Sequence, residues 1–263
     1  MKKALIFFVM ICLLLGLIGC AVNITDTSDG TFDTESPTEE KETSANKAIS
    51  ITTEITELES GFSAVRYDGD DALELFLEQG GAASDHEVLQ FLALLHGGAG
   101  LQFGGNAFGC STISVENACG GYLFGRNFDW QTCDALVVAA YPKEGYASIS
   151  TVNLGFIRQG AGIAANDLTD EMLTMAAVYA PLDGMNEKGL CVSVNMIQDN
   201  ATIQQETGKP DLTTTTAVRL LLDRAATVDE ALELLGQYDL HASMNYMVHF
   251  AIADNEGKRR SRP

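Results

Sequence analysis

The sequence predicts an α+β protein in which a series of strands is followed by helices and then by a further strand. Three observations carry this. Between Cys110 and Met196 the stretches CSTISV, GYLFGRNFDW, ALVVAAYP, YASISTVN and GLCVSVNM read as strands, by alternation or by β-branched and aromatic runs. From Thr213 to Tyr238, TTTTAVRLLLDRAATVDEALELLGQY reads as two helices, broken and recapped at Thr227 with Asp229 and Glu230 in the new first turn. NYMVHFAIADNEG then gives a strand that runs into a turn. The order is not a βαβ repeat, so a layered α+β domain is expected rather than a doubly wound sheet.

The chain opens MKKALIFFVMICLLLGLIGC: two lysines, an apolar run from Ala4 to Ile18, then Gly19 and Cys20. A basic start, a short apolar stretch and a small residue before the cut describe a secretory signal over 1–19. The run is short for a membrane span. LIGC also resembles the lipobox of bacterial lipoproteins. That resemblance implies diacylation of Cys20 as the first mature residue, and anchoring at the outer face of a bacterial cell membrane, since each buried methylene contributes about 0.8 kcal/mol. The alternative is an uncleaved anchor helix with an incidental cysteine; either way the folded part lies outside the cytoplasm. Residues 20–49 are Thr, Ser, Asp and Glu with almost no large apolar side chain, so they read as a solvated tether. With 36 acidic against 16 basic residues the formal charge is -20. That balance, without a basic patch, argues against nucleic acid as a partner.

Residues 50–109 read as one helical, propeptide-like unit. DGDDALELFLEQGG places Ala72, Leu73, Leu75 and Phe76 at helical spacing, with Gly80 and Gly81 as a stop. SDHEVLQFLALLHGGAG repeats the pattern behind Ser84 or Asp85 as N-cap. GGAG lacks the following GK[ST] of a phosphate loop. Residues 110–263 form the main domain. Of six cysteines, Cys12 leaves with the signal and Cys20 is the lipid site, which leaves Cys110, Cys119, Cys133 and Cys191. No CxxC spacing marks a zinc or redox site, and no metal or cofactor is implied. A Cys119–Cys133 disulfide is one pairing open to an exported chain, and Cys119, Cys133 and Cys191 read as packing residues.

Cys110 poses the functional question, because it opens a strand behind Gly109. A thiol attacks an amide only as thiolate, so it needs a base or a neighbouring cation. Arg126 and Asp129, in GRNFDW, fall at the open end of the hairpin that Cys110 begins, turned at Gly120-Gly121. His86 and His96 belong to the upstream unit and His241 and His249 lie late in the chain, so a Cys–His pair has little support, with His249 left open. One arrangement needs no histidine. Cleavage before Cys110 frees its own α-amine, with a pKa of about 8, to take the thiol proton. Asp129 would orient that amine, Asn195 in GLCVSVNM would donate to the oxyanion, and Gly109 would let the peptide bend for self-attack.

GCSTISVENACGGYLFGRNFDW resembles the opening of the linear amide C–N hydrolases, the choloylglycine hydrolase, penicillin V acylase and acid-ceramidase-like group of N-terminal-nucleophile enzymes. DGMNEKGLCVSVN and HFAIADNEGK are two further family-like stretches, and the likeness spans about Ser50 to Lys258. It implies a four-layer αββα fold and an amidase acting on linear amides. Cys110 would be the nucleophile, exposed by autocatalytic cleavage, with Arg126 and Asp129 beside it and Asn195 as the oxyanion asparagine. The substrate class it implies is a small amide with an acyl or hydrophobic portion, such as a conjugated bile acid, an N-acyl amino acid or penicillin V. The family continues beyond this point with more strands, a second asparagine and an arginine. Here FAIADNEG runs into KRRSRP, which offers nothing apolar to pair or bury, so a truncated second half and an unpaired sheet edge are expected. The readings to weigh against an active amidase are an inactive truncated surface lipoprotein and an acyltransferase using the same nucleophile.

Overall fold

The computed structural model describes residues 54–96, 109–130, 133–160, 168–197 and 201–262. The chain divides into units 1–48 and 49–263, and the described residues all belong to the second. The expected signal, Cys20 and the whole of the expected tether therefore lie outside the described residues.

The described elements begin with strands β1 (Thr56–Glu59) and β2 (Phe62–Gly69) and helices α1 (Leu73–Glu78) and α2 (Asp85–His96). Strands β3 (Gly109–Glu116), β4 (Tyr122–Asp129), β5 (Ala135–Pro142) and β6 (Ser148–Asn153) follow, then α3 (Leu154–Gly160) and α4 (Asp170–Tyr179). Next come β7 (Asp183–Asn186), β8 (Cys191–Met196), β9 (Asp211–Thr213), α5 (Thr214–Arg224) and α6 (Val228–Leu235). The series closes with β10 (Asp239–His241), a short 3-10 turn, β11 (Val248–Ala253) and β12 (Arg259–Arg262).

Eight strands make one sheet in the order β1-β2-β5-β6-β7-β8-β11-β12, antiparallel except for the β2–β5 pair. Directly paired residues share a face. One register row runs Val138, Ser150, Gly184, Val192, Ile252. That face is the helical one: a Cβ on Gly184 would meet Leu222 of α5 at 2.7 Å, so glycine lets the helix lie close. The neighbouring row runs Val137, Thr151, Asp183, Ser193, Ala251, Ser261 and belongs to the opposite face. The β3–β4 hairpin lies on that second face, where Thr112 Oγ1 donates to Asn195 Oδ1 at 2.8 Å. The α+β class is thus borne out, with a helical layer, the large sheet and a two-stranded piece of a second β layer among the described residues.

The expected strands and the α5–α6 pair fall where the sequence placed them. Thr227 caps α6 by accepting from the Glu230 amide at 3.2 Å. Two expectations are corrected. The unit at 50–109 is not purely helical: it opens with β1 and β2, and β2 sits inside the sheet. KRRSR does pair, as β12 runs antiparallel to β11 from Ala253–Arg259 to Phe250–Arg262. Ladder bonds come from the backbone, and arginine side chains at an edge discourage pairing with other chains. Helices α3 and α4 and strand β7 occupy stretches to which the sequence assigned nothing. In α4, Leu173 to Tyr179 are all buried, so no polar face marks it as a helix.

The upstream helices are anchored by an aromatic cluster in which Phe76 packs edge-on to Phe91 and Tyr179, at 5.2 and 5.5 Å between ring centroids. Phe76 is fully buried. Phe76→Ala is expected to destabilise the protein by about 3–5 kcal/mol, from lost transfer energy and the cavity left behind. A urea titration that shows less than about 1 kcal/mol would mean the helices fold apart from the sheet.

Candidate active site

Hairpin β3–β4 fixes which side chains meet. Its register pairs Gly109 with Asp129, Cys110 with Phe128 and Thr112 with Arg126. Cys110, Thr112, Arg126 and Phe128 therefore share the face turned to the sheet, while Asn127 and Asp129 face outward. The turn holds this register: the Asn117 side chain accepts from the amides of Cys119 and Gly121 at 2.8 and 3.2 Å, and Gly120 takes a left-handed φ of 80°.

Arg126 is the hub. Its Nη2 donates to Cys110 Sγ at 3.2 Å and to the Val194 carbonyl at 2.9 Å, and its Nη1 donates to Asp183 Oδ2 at 2.6 Å. The side chain is only 6% exposed, so these partners replace lost water. Asp183 is held in turn by the Thr151 hydroxyl, its neighbour on β6. The arrangement is thiol, guanidinium, carboxylate, hydroxyl in series. The guanidinium is the group that meets the Cys110 sulfur.

The structure brings Cys110 and Arg126 into contact, as the sequence predicts. Asn195 stands one residue beyond: its Oδ1 accepts from Thr112, its Nδ2 donates to Ser193 Oγ at 3.2 Å, and it lines the same cleft as Cys110. Asp129 is not at the sulfur. It is exposed, receives the Asn127 amide at 2.5 Å, and faces Gly109, where a Cβ would lie 3.6 Å from its Oδ2. It therefore sits beside the Gly109–Cys110 backbone rather than the thiol. His249 pairs with Asn195 across β8–β11 and bonds Ser261 at 3.3 Å, so it lines the cleft without touching the sulfur. The sequence reading missed Asp183, Thr151 and Ser193. Asp183 opens DGMNEKGL, a stretch singled out as family-like, but nothing local reveals that its carboxylate meets an arginine 57 positions earlier.

Two hollows flank this series. A cleft of about 680 Å3 holds Cys110, Thr112 and Asn195 against Arg259 and Arg260 of β12. A second, of about 460 Å3, is lined by Phe124, Phe128, Ile149, Leu182 and Met185 with Arg126 and Asp183. A third, of about 490 Å3 between Ala83 and Asn245, lies away from the cysteine. Cys110, Cys119, Cys133 and Cys191 are all free thiols, so the Cys119–Cys133 bridge is absent. Cys119 and Cys133 are exposed, which corrects their reading as packing residues, whereas Cys191 is half-buried and burial pushes its thiol up to about 11. Among the described residues no three His, Cys, Asp or Glu side chains gather as a metal site.

The family model of the linear amide C–N hydrolases, choloylglycine hydrolase family, matches residues 110–260, more than half of the chain. This chain belongs to that family. Solved structures similar to it include penicillin V acylase from Agrobacterium tumefaciens, at 18% identity and TM-score 0.31, over 61% of this chain and 40% of that one. A mutant conjugated bile acid hydrolase from Clostridium perfringens matches at 20% identity and TM-score 0.40, over 58% and 47%. Another variant of that hydrolase matches at 17% and 0.31, over 61% and 41%. The chain thus spans less than half the length of these structures. No curated protein matches it.

Arg126→Gln, which removes the donor in contact with the Cys110 sulfur, is expected to slow alkylation of Cys110 at pH 7 by roughly tenfold. Peptide mass spectrometry after iodoacetamide measures it, with Cys191 staying largely unlabelled at pH 8 because its thiol is pushed up to about 11. Equal Cys110 rates in both proteins would mean that Arg126 does not act on the sulfur.

Proposed function

We propose that this protein hydrolyses a linear amide C–N bond with Cys110 as an N-terminal nucleophile, made terminal by autocatalytic cleavage of the Gly109–Cys110 bond. The observation that carries the reading is the contact between Arg126 Nη2 and Cys110 Sγ. The family match that begins on Cys110 supports it.

The freed α-amine, with a pKa of about 8, takes the thiol proton while Arg126 donates to the sulfur. Asp183 and Thr151 keep the guanidinium from turning away. Sulfur attacks the amide carbon and the C–N bond breaks. The α-ammonium returns its proton to the leaving amine, which leaves a thioester on Cys110. Water deprotonated by the same amine then attacks the thioester, and the acid departs as the thiolate re-forms. Asn195 offers its amide to the oxyanion, once its Nδ2 leaves Ser193 for the stronger acceptor. Asp129, opposite Gly109, accepts from the new α-ammonium. The substrate is a small amide with an acyl or hydrophobic portion, for which the hollow beside Phe124, Phe128 and Met185 offers an apolar wall. The reading includes export and lipid attachment at Cys20, supported by the LIGC sequence.

The first test is the intact mass and N-terminal sequence of the soluble chain lacking residues 1–20. A fragment beginning at Cys110, absent from Cys110→Ala, is expected. A single uncut chain with no amide turnover would count against the proposal. In the active protein Asn195→Ala is expected to lower kcat by about 10²–10³ with a small change in KM, the signature of a donor used in the transition state. Labelled palmitate entering the full chain but not Cys20→Ala tests the anchor.

A further inference from the structure

We infer that Thr112 is a positioning residue for Asn195: its hydroxyl holds the carboxamide oxygen, so that the amide nitrogen is the atom presented to the oxyanion. The inference rests on the amidase reading above and adds a residue which that reading does not use. A carboxamide carries an acceptor and a donor of nearly equal shape on a bond that turns readily. An N–H aimed at an oxyanion stabilises it, whereas a carbonyl oxygen in the same place repels it. Something must therefore fix which end points where.

Strand β3 sets the contact. Cys110, Thr112 and Ser114 alternate onto the face turned to the sheet, and Ile113 and Val115 onto the other. The polar side chains are inside while Ile113 is 59% exposed, the reverse of a strand chosen for apolar burial. A hydroxyl withdrawn from water needs a partner. Thr112 Oγ1 donates to Asn195 Oδ1 at 2.8 Å, and Asn195 Nδ2 donates to Ser193 Oγ at 3.2 Å. Ser193, which is fully buried, stands 3.3 Å from Thr112 Oγ1. With the Thr112 proton committed to Asn195, the Ser193 hydroxyl is the donor of that third contact. The three side chains close a ring in which each donates once and accepts once.

The lengths fix the direction of the ring. An O–H···O bond is normally shorter than an N–H···O bond, and the edge from Thr112 is the shorter one. The two bonds to Asn195 then part company in the reaction. The nitrogen leaves Ser193 for the oxyanion, and the ring opens on that side. The oxygen stays on Thr112, so the amide moves about a held atom and does not invert. Thr112 lies two residues beyond Cys110 on the same strand face, so one strand carries the nucleophile and sets the oxyanion donor.

The test uses the soluble chain lacking residues 1–20, with penicillin V, a conjugated bile acid and an N-acyl amino acid as probe amides. Thr112→Val keeps the β-branched shape that suits a strand and removes the donor. It is expected to lower kcat by roughly ten- to a hundredfold with a small change in KM. Thr112→Ser, which restores the hydroxyl, is expected to recover most of the rate. Ser193→Ala is expected to cost less than Thr112→Val, because the transition state does not use that bond. On an Asn195→Ala background Thr112→Val should add no further loss. An unchanged kcat in Thr112→Val, or a loss that Thr112→Ser does not recover, overturns the inference. A second readout needs no turnover: two-dimensional NMR of the Asn195 side-chain amide, identified by its absence from Asn195→Ala. Its signals are expected to move in Thr112→Val and to stay in place in Thr112→Ser, and unmoved signals in Thr112→Val overturn the inference. No turnover of any probe by the unsubstituted chain, with the amide signals still moved, counts against the amidase reading and not against the Thr112 contact.

Discussion

The site depends on where a buried guanidinium finds its partners. Among the described residues, Arg126 is carried by a two-stranded hairpin that shares no ladder hydrogen bonds with the large sheet. A guanidinium withdrawn from water is costly unless its donors are met. Its acceptors come from three places: the hairpin's own thiol, the backbone of β8 and the carboxylate of β7. The same charge therefore seats the hairpin on the sheet and sets the electrostatics of the cysteine. Thr112, bonded to Asn195, supplies a second, neutral fastening on the same face.

The segment DGMNEKGL shows how one short strand serves both faces. Asp183 and Gly184 alternate, so the carboxylate turns to Arg126 while the glycine lets α5 approach. Two residues on, Asn186 faces the helical side and makes four bonds. It accepts from the amides of Lys188 and Leu190, and donates to the carbonyls of Leu222 and Ala225. That side chain closes the turn into β8 and ties it to the end of α5. The position of Asp183 is thus fixed by the core on the far side of the sheet.

The free thiols have different settings, which follow from packing. Cys110 meets a cation, whereas Cys191 meets mostly apolar surroundings that oppose its ionisation. Burial in apolar surroundings opposes ionisation of a thiol, and Cys191 is the example here. The basic edge formed by Arg259 and Arg260 borders the Cys110 cleft in a chain whose overall charge is -20.

The sequence by itself determined the regular, locally encoded parts: the alternating strands from Cys110 to Met196, the capped helices after Thr213, and the glycine-turned hairpin that brings Arg126 near Cys110. These are legible because strand alternation, caps and tight turns act over a few residues. It also singled out Asn195, whose cleft position follows from alternation along β8. Tertiary structure decided the rest. Helix α4 is buried all round and so carries no amphipathic signal; β2 joins β5 across more than 60 residues of chain; and Asp183 meets Arg126 from another layer. Asp129, expected at the open end of the hairpin to orient the Cys110 amine, is turned by strand alternation to the face opposite the thiol, beside Gly109. Contacts between layers are set by how faces pack, and that information is spread over the whole chain rather than written beside the residues that use it.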